Sequence, residues 1–382
     1  MKSNNGGGLP DGWELKRLGD VCDVIGGGTP SKDNDSYYDG NILWATVRDM
    51  KSEVIAETEH SITEEAVKKS STNIIPAGNV IIATRVGLGK VCLLKYDTAI
   101  NQDLKALIPI NTNKLSKEYL FSWLKSIASI IVSEGTGATV QGVKLPFVKS
   151  LPIPIPPLPV QRRIVAILDE AFAAIAAAKA NAERNLTNAR ELFEAKLQIG
   201  GYDAVPMGSL VNISTGKLDA NAAVEKGRFP FFTCAREIYS IDRYSFDCEA
   251  ILLAGNNAVG DFNVKHYQGK FDAYQRTYVI TVKHDKRVIY RYLYYQITKA
   301  LQELKTKSVG AGTKFLKIGI LNEMMVSCPP LPDQHRIVAE LDALSAQTKQ
   351  LESIYQQKIV CLNELKQALL QKAFNGELTN LV

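Results

Sequence analysis

The sequence predicts an α+β protein: two tandem mixed α/β globular domains separated by two long antiparallel coiled-coil helices, with a pseudo-twofold internal repeat. Three observations predict it. A proline-rich motif occurs twice at domain-length spacing. Each copy opens a long stretch without Pro or Gly inside it, whose apolar residues recur every three or four positions. Upstream of each copy, β-rich runs bounded by turn residues alternate with short helical stretches.

The motif carries the organisation. Pro156-Pro157-Leu158-Pro159-Val160-Gln161-Arg162-Arg163-Ile164-Val165-Ala166-Ile167-Leu168-Asp169 returns as Pro329-Pro330-Leu331-Pro332-Asp333-Gln334-His335-Arg336-Ile337-Val338-Ala339-Glu340-Leu341-Asp342. Eleven of fourteen positions match, at an offset of 173. Weaker landmarks keep that offset: Val86-Gly87 with Val259-Gly260, Gln102 with Gln275, Tyr119-Leu120 with Tyr292-Leu293, and Lys144 with Lys317. Near the start the offset drifts, and Leu18-Gly19 aligns with Met207-Gly208. A period this long marks duplicated domains rather than a solenoid. The expected divisions are 1–160, 161–199, 200–332 and 333–382: domain, helix, domain, helix.

Proline cannot continue a helix backwards, so Ile153-Pro154-Ile155-Pro156-Pro157 reads as a stiff spacer that a helix follows. From Gln161 to about Gln198 the seam is Ile164, Leu168, Ala171, Ile175, Ala178, Ala182, Leu186, Ala189 and Phe193. The second seam is Ile337, Leu341, Leu344, Thr348, Leu351, Tyr355, Ile359, Leu362, Leu365 and Leu369, with a stop at Asn375-Gly376. A lone helix cannot hide such a stripe. Packing the two helices on each other, antiparallel, buries both; folding each back on its own domain, or pairing between molecules, is the alternative.

The globular halves read as mixed sheets. Asn79–Thr84, Lys90–Leu94, Ala250–Ala254 and Tyr278–Val282 are the β-rich runs. Turn clusters such as Gly26-Gly27-Gly28-Thr29-Pro30 and Gly255-Asn256-Asn257 separate them, and helices are expected over Lys117–Ile127 and Val288–Leu304.

Composition excludes several classes. The net charge is +5, with 45 Lys+Arg against 40 Asp+Glu. Residues 1–160 carry 17 basic and 17 acidic groups, whereas 199–332 carry 17 and 12, so nearly all the excess lies in the second domain. A histone-like cation that coats DNA by charge alone is excluded. Six cysteines (Cys22, Cys92, Cys234, Cys248, Cys328, Cys361) are widely spaced with no CxxC, and only four His accompany them, so no metal site is expected. The thiols are expected to be reduced and mostly buried, in a cytoplasmic protein with no leader and no membrane span.

The residues now assembled resemble the specificity subunit of type I restriction–modification systems, over essentially the whole chain. The carriers are the two Pro-Pro-Leu-Pro-x-Gln-x-Arg-Ile-Val joints, the opening Leu9–Asp20, the run Gly26–Pro30, and the closing Ala373-Phe374-Asn375-Gly376-Glu377-Leu378. The resemblance implies two target-recognition domains, each reading one half of a bipartite double-stranded DNA target. It implies that the helices act as a ruler and as a platform for two methyltransferase subunits, with restriction (motor-nuclease) subunits joining through the complex. The chain would have no catalytic residue, no cofactor and no membrane partner. Gln161, Arg163, Gln334 and Arg336 at the helix starts would serve docking or, equally, brace the joint.

DNA-contacting residues do not transfer from the family, so chemistry nominates them. Arg and Lys suit guanine, Asn and Gln suit adenine, and Ser, Thr and cationic groups hold phosphate. Polar residues in glycine-rich loops beside strands are the candidates. In the first domain these are Ser31, Lys32, Thr46, Arg48, Thr84, Arg85, Lys90, Gln141 and Lys144. In the second they are Lys217, Thr233, Arg236, Asn256, Asn257, Lys265, Arg276, Lys314 and Lys317. For each, a solvated charge or an ordinary turn residue is the competing role. Arg85-Val86-Gly87-Leu88-Gly89-Lys90 lacks the spacing and the Ser/Thr of a phosphate-binding Walker loop, and no Asn/Asp-Pro-Pro-Tyr/Phe run is present. A stand-alone enzyme is therefore disfavoured, and a scaffold unrelated to DNA is the remaining alternative.

Overall fold

The structure, a computed structural model, describes residues 9–136, 142–197, 201–283 and 287–380. Contacts divide the chain into two units, one of residues 1–181 with 358–382 and one of residues 182–357. The two long helices, Leu158–Lys196 (39 residues) and Leu331–Phe374 (44 residues), each contribute to both units.

In the first unit a ribbon pairs Glu14–Arg17 with Pro152–Ile155, so the strand before the joint is held by the start of the domain. A five-stranded sheet follows in the order Cys22–Gly26, Leu104–Pro109, Val80–Ala83, Val91–Leu94, Val54–Ile55. A four-stranded sheet has the order His60–Ile62, Ile42–Ala45, Thr98–Ile100, Asn73–Ile75. The helix Lys117–Ser126 packs on the larger sheet; Ser116 caps it by accepting from Tyr119 N at 3.2 Å.

The second unit repeats this plan with its strands fused. Its ribbon pairs Ala204–Pro206 with Met325–Ser327. One sheet has the order Val211–Thr215, Thr277–Val282, Phe246–Ala254, Val264–Ala273, Phe229–Phe232, Tyr239–Ile241. Matched through shared partners, with Ala83 on Leu104 and Ala254 on Thr277, the long strand Phe246–Ala254 covers the end of Asn73–Ile75 and all of Val80–Ala83. What splits them in the first unit is Pro76-Ala77-Gly78. Proline has no N–H for the ladder, and Gly78 turns at φ +73°. The second unit has Asp247-Cys248-Glu249 there, paired in register with Lys270, Gly269 and Gln268.

Both long-helix seams bury as the spacing predicts near the domains. Ile164 and Leu168 of the first helix share the first unit's core with Leu370, Ala373 and Phe374 of the second, and Phe374 meets Tyr119 edge-on at 5.2 Å. In the second unit, Phe193 and Leu197 share a core with Ile337 and Leu341, and Arg190 Nε donates to Glu352 Oε1 at 2.6 Å. The start of one helix meets the end of the other within each unit, so the pair is antiparallel. Two seam positions need correction. Leu351 and Leu365 are 39% and 48% exposed, because the seam steps through half-buried Glu352, Tyr355, Ile359, Leu362 and Lys366 instead. The second helix stops at Phe374, and Gly376 takes the left-handed conformation at φ +81°.

Ionic clusters tie each domain's helix to the long helices. In the first unit, Lys125 and Lys366 both approach Glu53, and both ammonium groups lie over the Phe172 ring at 5.5 and 4.7 Å. In the second, Asp342 accepts from Arg291 Nη2 at 2.6 Å and Tyr295 Oη at 2.5 Å. Burial would raise the Asp342 carboxyl, but these two donors and the guanidinium charge outweigh it and hold it below the usual carboxylate range. Among the thiols, burial is less general than composition suggested. Cys22 and Cys92 are buried and pushed up to about 12 and about 11, while Cys361 is exposed.

Two predictions follow from this packing. Ile164→Ala is expected to cost about 2–5 kcal/mol of unfolding free energy, and Leu365→Ala less than about 0.5 kcal/mol; denaturant titration of both variants separates the seam from the face beside it. Asp342→Asn is expected to cost about 1 kcal/mol at pH 7. Because the folded carboxyl lies low, its contribution is present above the unfolded value of about 4 and is lost as pH falls through the folded one. Thermal melts of parent and variant should therefore converge at acid pH.

Candidate nucleic-acid interface

At one corner of each unit the same backbone scaffold is built twice. The strands Cys22–Gly26 and Val211–Thr215 are each followed by a glycine, Gly27 or Gly216, pressed against a neighbouring segment. A Cβ there would stand 2.0 Å from the Ile100 carbonyl oxygen or 1.8 Å from that of Ala273. A tight turn follows each neighbour, Asn101–Leu104 closed by Leu104 N to Asn101 O, and Tyr274–Thr277 closed by Thr277 N to Tyr274 O. Thr84 N donates to Asp103 O and Val143 N to Thr84 O; Gly255 N donates to Arg276 O and Leu316 N to Gly255 O. Lone bridges join Arg85 to Gly142, while Asn256–Asn257 pairs with Lys314–Phe315. Most side chains on this scaffold differ between the units, whereas these hydrogen bonds do not.

In the first unit the corner opens into a cleft of about 660 Å³. Lys32, Thr46 and Arg48 line it, together with Tyr38, Trp44 and His60. Trp44 Nε1 donates to Gly28 O at 3.2 Å, and the Tyr38 ring meets Trp44 edge-on at 5.8 Å. Thr46 caps the turn Val47–Asp49, its hydroxyl accepting from Arg48 N while Asp49 accepts from Thr46 N. That cap sends the exposed Arg48 side chain outward, 3.9 Å from Glu59. Arg85 is exposed and stands 3.4 Å from Asp103. Thr84 is buried and donates to Asp103 O, so it holds the turn. Ser31 is exposed beside Lys32 and bonds locally with Asp33, and Lys90 is exposed at the turn that Gly87 and Gly89 permit. The aromatic wall of this cleft escaped sequence reasoning, because Tyr38, Trp44 and His60 come from three separate elements with no shared spacing.

In the second unit Arg276, Asn256, Asn257 and Lys314 come together, with the Arg276 guanidinium 5.2 Å from the centroid of the Phe315 ring. Exposed Lys217 follows Gly216 next to the same turn. Arg236 lies beside a smaller cleft of about 260 Å³ and pairs with Asp261 at 2.6 Å. Thr233 is buried and accepts from Ala235 N. Lys265 is committed inward: it donates to Ala235 O at 2.7 Å and to Asn263 Oδ1, and burial, reinforced by Arg236, holds its ammonium below the usual lysine range.

Lys144 and Lys317, matched by the repeat, occupy equivalent places. Each is exposed and immediately precedes a short helix, Leu145–Ser150 or Ile318–Glu323. Gln141 lies outside the described residues. Of the two roles open to Gln161 and Gln334, bracing is the one their complete burial serves, and docking through these side chains is withdrawn. Gln161 accepts from Ser116 N and donates to Lys114 O and Pro156 O; Gln334 accepts from Ile289 N and donates to Arg287 O and Pro329 O. Arg163 and Arg336 stay exposed, Arg336 pairing with Asp333 and Glu340 on its own helix. Among the described residues no group of three or more His, Cys, Asp or Glu is placed to hold a metal ion, and no helix is long and apolar enough to cross a membrane.

The family model described as the type I restriction modification DNA specificity domain matches residues 10–184 and again residues 200–359. The chain belongs to that family. Its two matched segments are tandem DNA specificity domains, and the family is one of recognition subunits that are not themselves catalytic. The MjaIX specificity subunit of Methanocaldococcus jannaschii is 24% identical to it over 99% of this chain and 96% of that one. The EcoDI specificity subunit of Escherichia coli is 39% identical over 178 residues, which are 47% of this chain and 39% of that relative. Two solved structures share the fold at 21% identity. One, from work on complex assembly and conformational transition of the type I R-M system, has a TM-score of 0.79 over 97% of this chain and 99% of its own. The HsdS subunit from Thermoanaerobacter tengcongensis has a TM-score of 0.60 over 97% and 98%.

The glutamine brace makes a prediction that separates it from a docking role. Gln161→Ala strands Ser116 N–H and two carbonyls in a buried site, and is expected to cost about 1–3 kcal/mol of stability. Denaturant unfolding of the chain without partners checks this, because a docking residue would leave that stability unchanged.

Proposed function

We propose that this chain is the DNA sequence-specificity subunit of a type I restriction–modification complex, acting in the cytoplasm. Each recognition domain reads one half of a bipartite duplex target through its corner of cationic and amide side chains. The observation that carries the reading is the doubled corner. Arg85 in one unit, and Arg276 with Asn256, Asn257 and Lys314 in the other, stand on the same backbone scaffold, and Lys32 and Arg48 line the cleft beside the first. Guanidinium and carboxamide groups suit base edges, and lysines such as Lys144 and Lys317 suit phosphates.

The paired helices set the spacer between the half-sites and dock two methyltransferase subunits, with motor-nuclease subunits joining through the complex. Exposed Arg163 and Arg336 are the docking residues we retain. Arg336 supports this by bordering a groove of about 520 Å³ floored by Ile337, Leu341 and Leu344, an apolar seat with a charged rim.

Sequencing of methylated bases in DNA treated with the complex of this chain and its methyltransferase subunits is expected to return one split motif. Deleting one heptad from each long helix shortens the pair by about 10 Å, and is expected to remove about three base pairs of spacer while leaving both half-sites unchanged. Methylation without sequence preference, or a spacer indifferent to helix length, would count against this function.

A further inference from the structure

The two corners differ at three of four equivalent positions and agree at one. Arg85 in the first unit stands where the second has Asn256, Asp103 where it has Arg276, and Gly142 where it has Phe315. The guanidinium has changed strand: Arg85 reaches it from beside Gly142 and is paired to Asp103, whereas Arg276 stands on the turn itself over the Phe315 ring. Gly142 leaves room for this, since a Cβ there would lie 3.2 Å from Arg85 Cγ. The constant position is glutamine. Gln102 and Gln275 are both exposed at the second residue of the tight turn.

An internal structural need does not account for that constancy. The two side chains have different partners: the Thr29 hydroxyl donates to Gln102 Oε1, while Gln275 Nε2 donates to Asp219 Oδ1 at 3.3 Å. Neither turn residue has a positive φ. A carboxamide has two N–H donors. With the Gln102 oxygen engaged, and only one Gln275 donor engaged among the described residues, each amide is oriented and still offers N–H to an outside acceptor.

Domains that read different half-sites share one ligand feature, the sugar–phosphate backbone. We infer that Gln102 and Gln275 are a matched pair of positioning residues, each donating an N–H to a backbone phosphate of its own half-site, while the positions around them that differ carry the base preference. This rests on the recognition function proposed above.

The test uses the complex with methyltransferase subunits and duplexes that the parent complex selects from a random-sequence library. Gln102→Ala and Gln275→Ala are each expected to weaken binding about 3- to 10-fold, and the double variant by roughly the product. The ratio of affinities for the selected duplex and for duplexes changed at single base pairs should stay constant. The dependence on salt should keep its slope, since a neutral amide releases no counterion, whereas Lys317→Ala, at a residue assigned to phosphate above, should flatten it. Gln102→Glu keeps an acceptor for Thr29 but faces phosphate with a carboxylate, so it should bind more weakly than Gln102→Ala. Unchanged affinity in the double variant overturns the inference. So does altered preference at one base pair, which would make the glutamine a base reader. A parent complex that selects no sequence overturns the recognition function and this inference with it.

Discussion

Each long helix begins where a chain segment poor in backbone N–H groups turns into regular helix, and one buried carboxamide closes that junction. Gln161 satisfies Ser116 N–H, Lys114 C=O and Pro156 C=O together; Gln334 does the same for Ile289, Arg287 and Pro329. Unpaired, these groups would carry a desolvation cost beside a glutamine that is itself fully buried. The carboxamide also fixes direction, because its partners come from the loop before the domain helix and from the proline strand at once. The angle at which each long helix leaves its domain is thereby set within a few side-chain torsions. A ruler made from helices requires such a joint, since freedom there would blur any spacing the helices impose.

Beyond the joint, the domain helix is fastened by charge as well as by apolar contact. Lys125 and Lys366 over Phe172, and Arg291 with Asp342 and Tyr295, solve the same problem with different residues. That divergence is what duplication permits: the junction chemistry is kept where geometry leaves one solution and drifts where several serve.

Much of the architecture was legible because it repeats. The joint motif is strong, and the heptad seam of the first helix, Leu168, Ile175, Ala182 and Ala189, buries as spacing implies. Leu351 and Leu365 misled because a three- or four-residue step admits more than one stripe, and only the partner helix chooses between them. Strand number was not legible either; whether a β-run continues depends on one proline at position 76 against aspartate at position 247. The geometry of the candidate corner was half legible. Side-chain chemistry nominated Arg85, Arg276 and Lys314, but not that Thr84 and Thr233 are buried or that Lys265 turns inward, since burial is a property of neighbours distant in sequence. Gln102 and Gln275 were visible as a repeat landmark and lacked only the turn that exposes them.

The uneven charge of the two halves finds its physical place at the corners. In the first unit the corner guanidinium faces a carboxylate: Arg85 is tied to Asp103, whose side chain is only 18% exposed. In the second, Arg276 is carried on an aromatic face, which supports a cation without cancelling it. A guanidinium already paired must exchange one anionic partner for another when it meets DNA, and the gain in affinity is the difference between the two. A guanidinium on a ring keeps its full charge for the encounter. On the recognition function proposed above, the first domain would discriminate through the shape of the cleft walled by Tyr38, Trp44 and His60, and the second would attract through field. On that reading, a neutral domain and a basic one on the same scaffold would share one duplex without binding every duplex tightly.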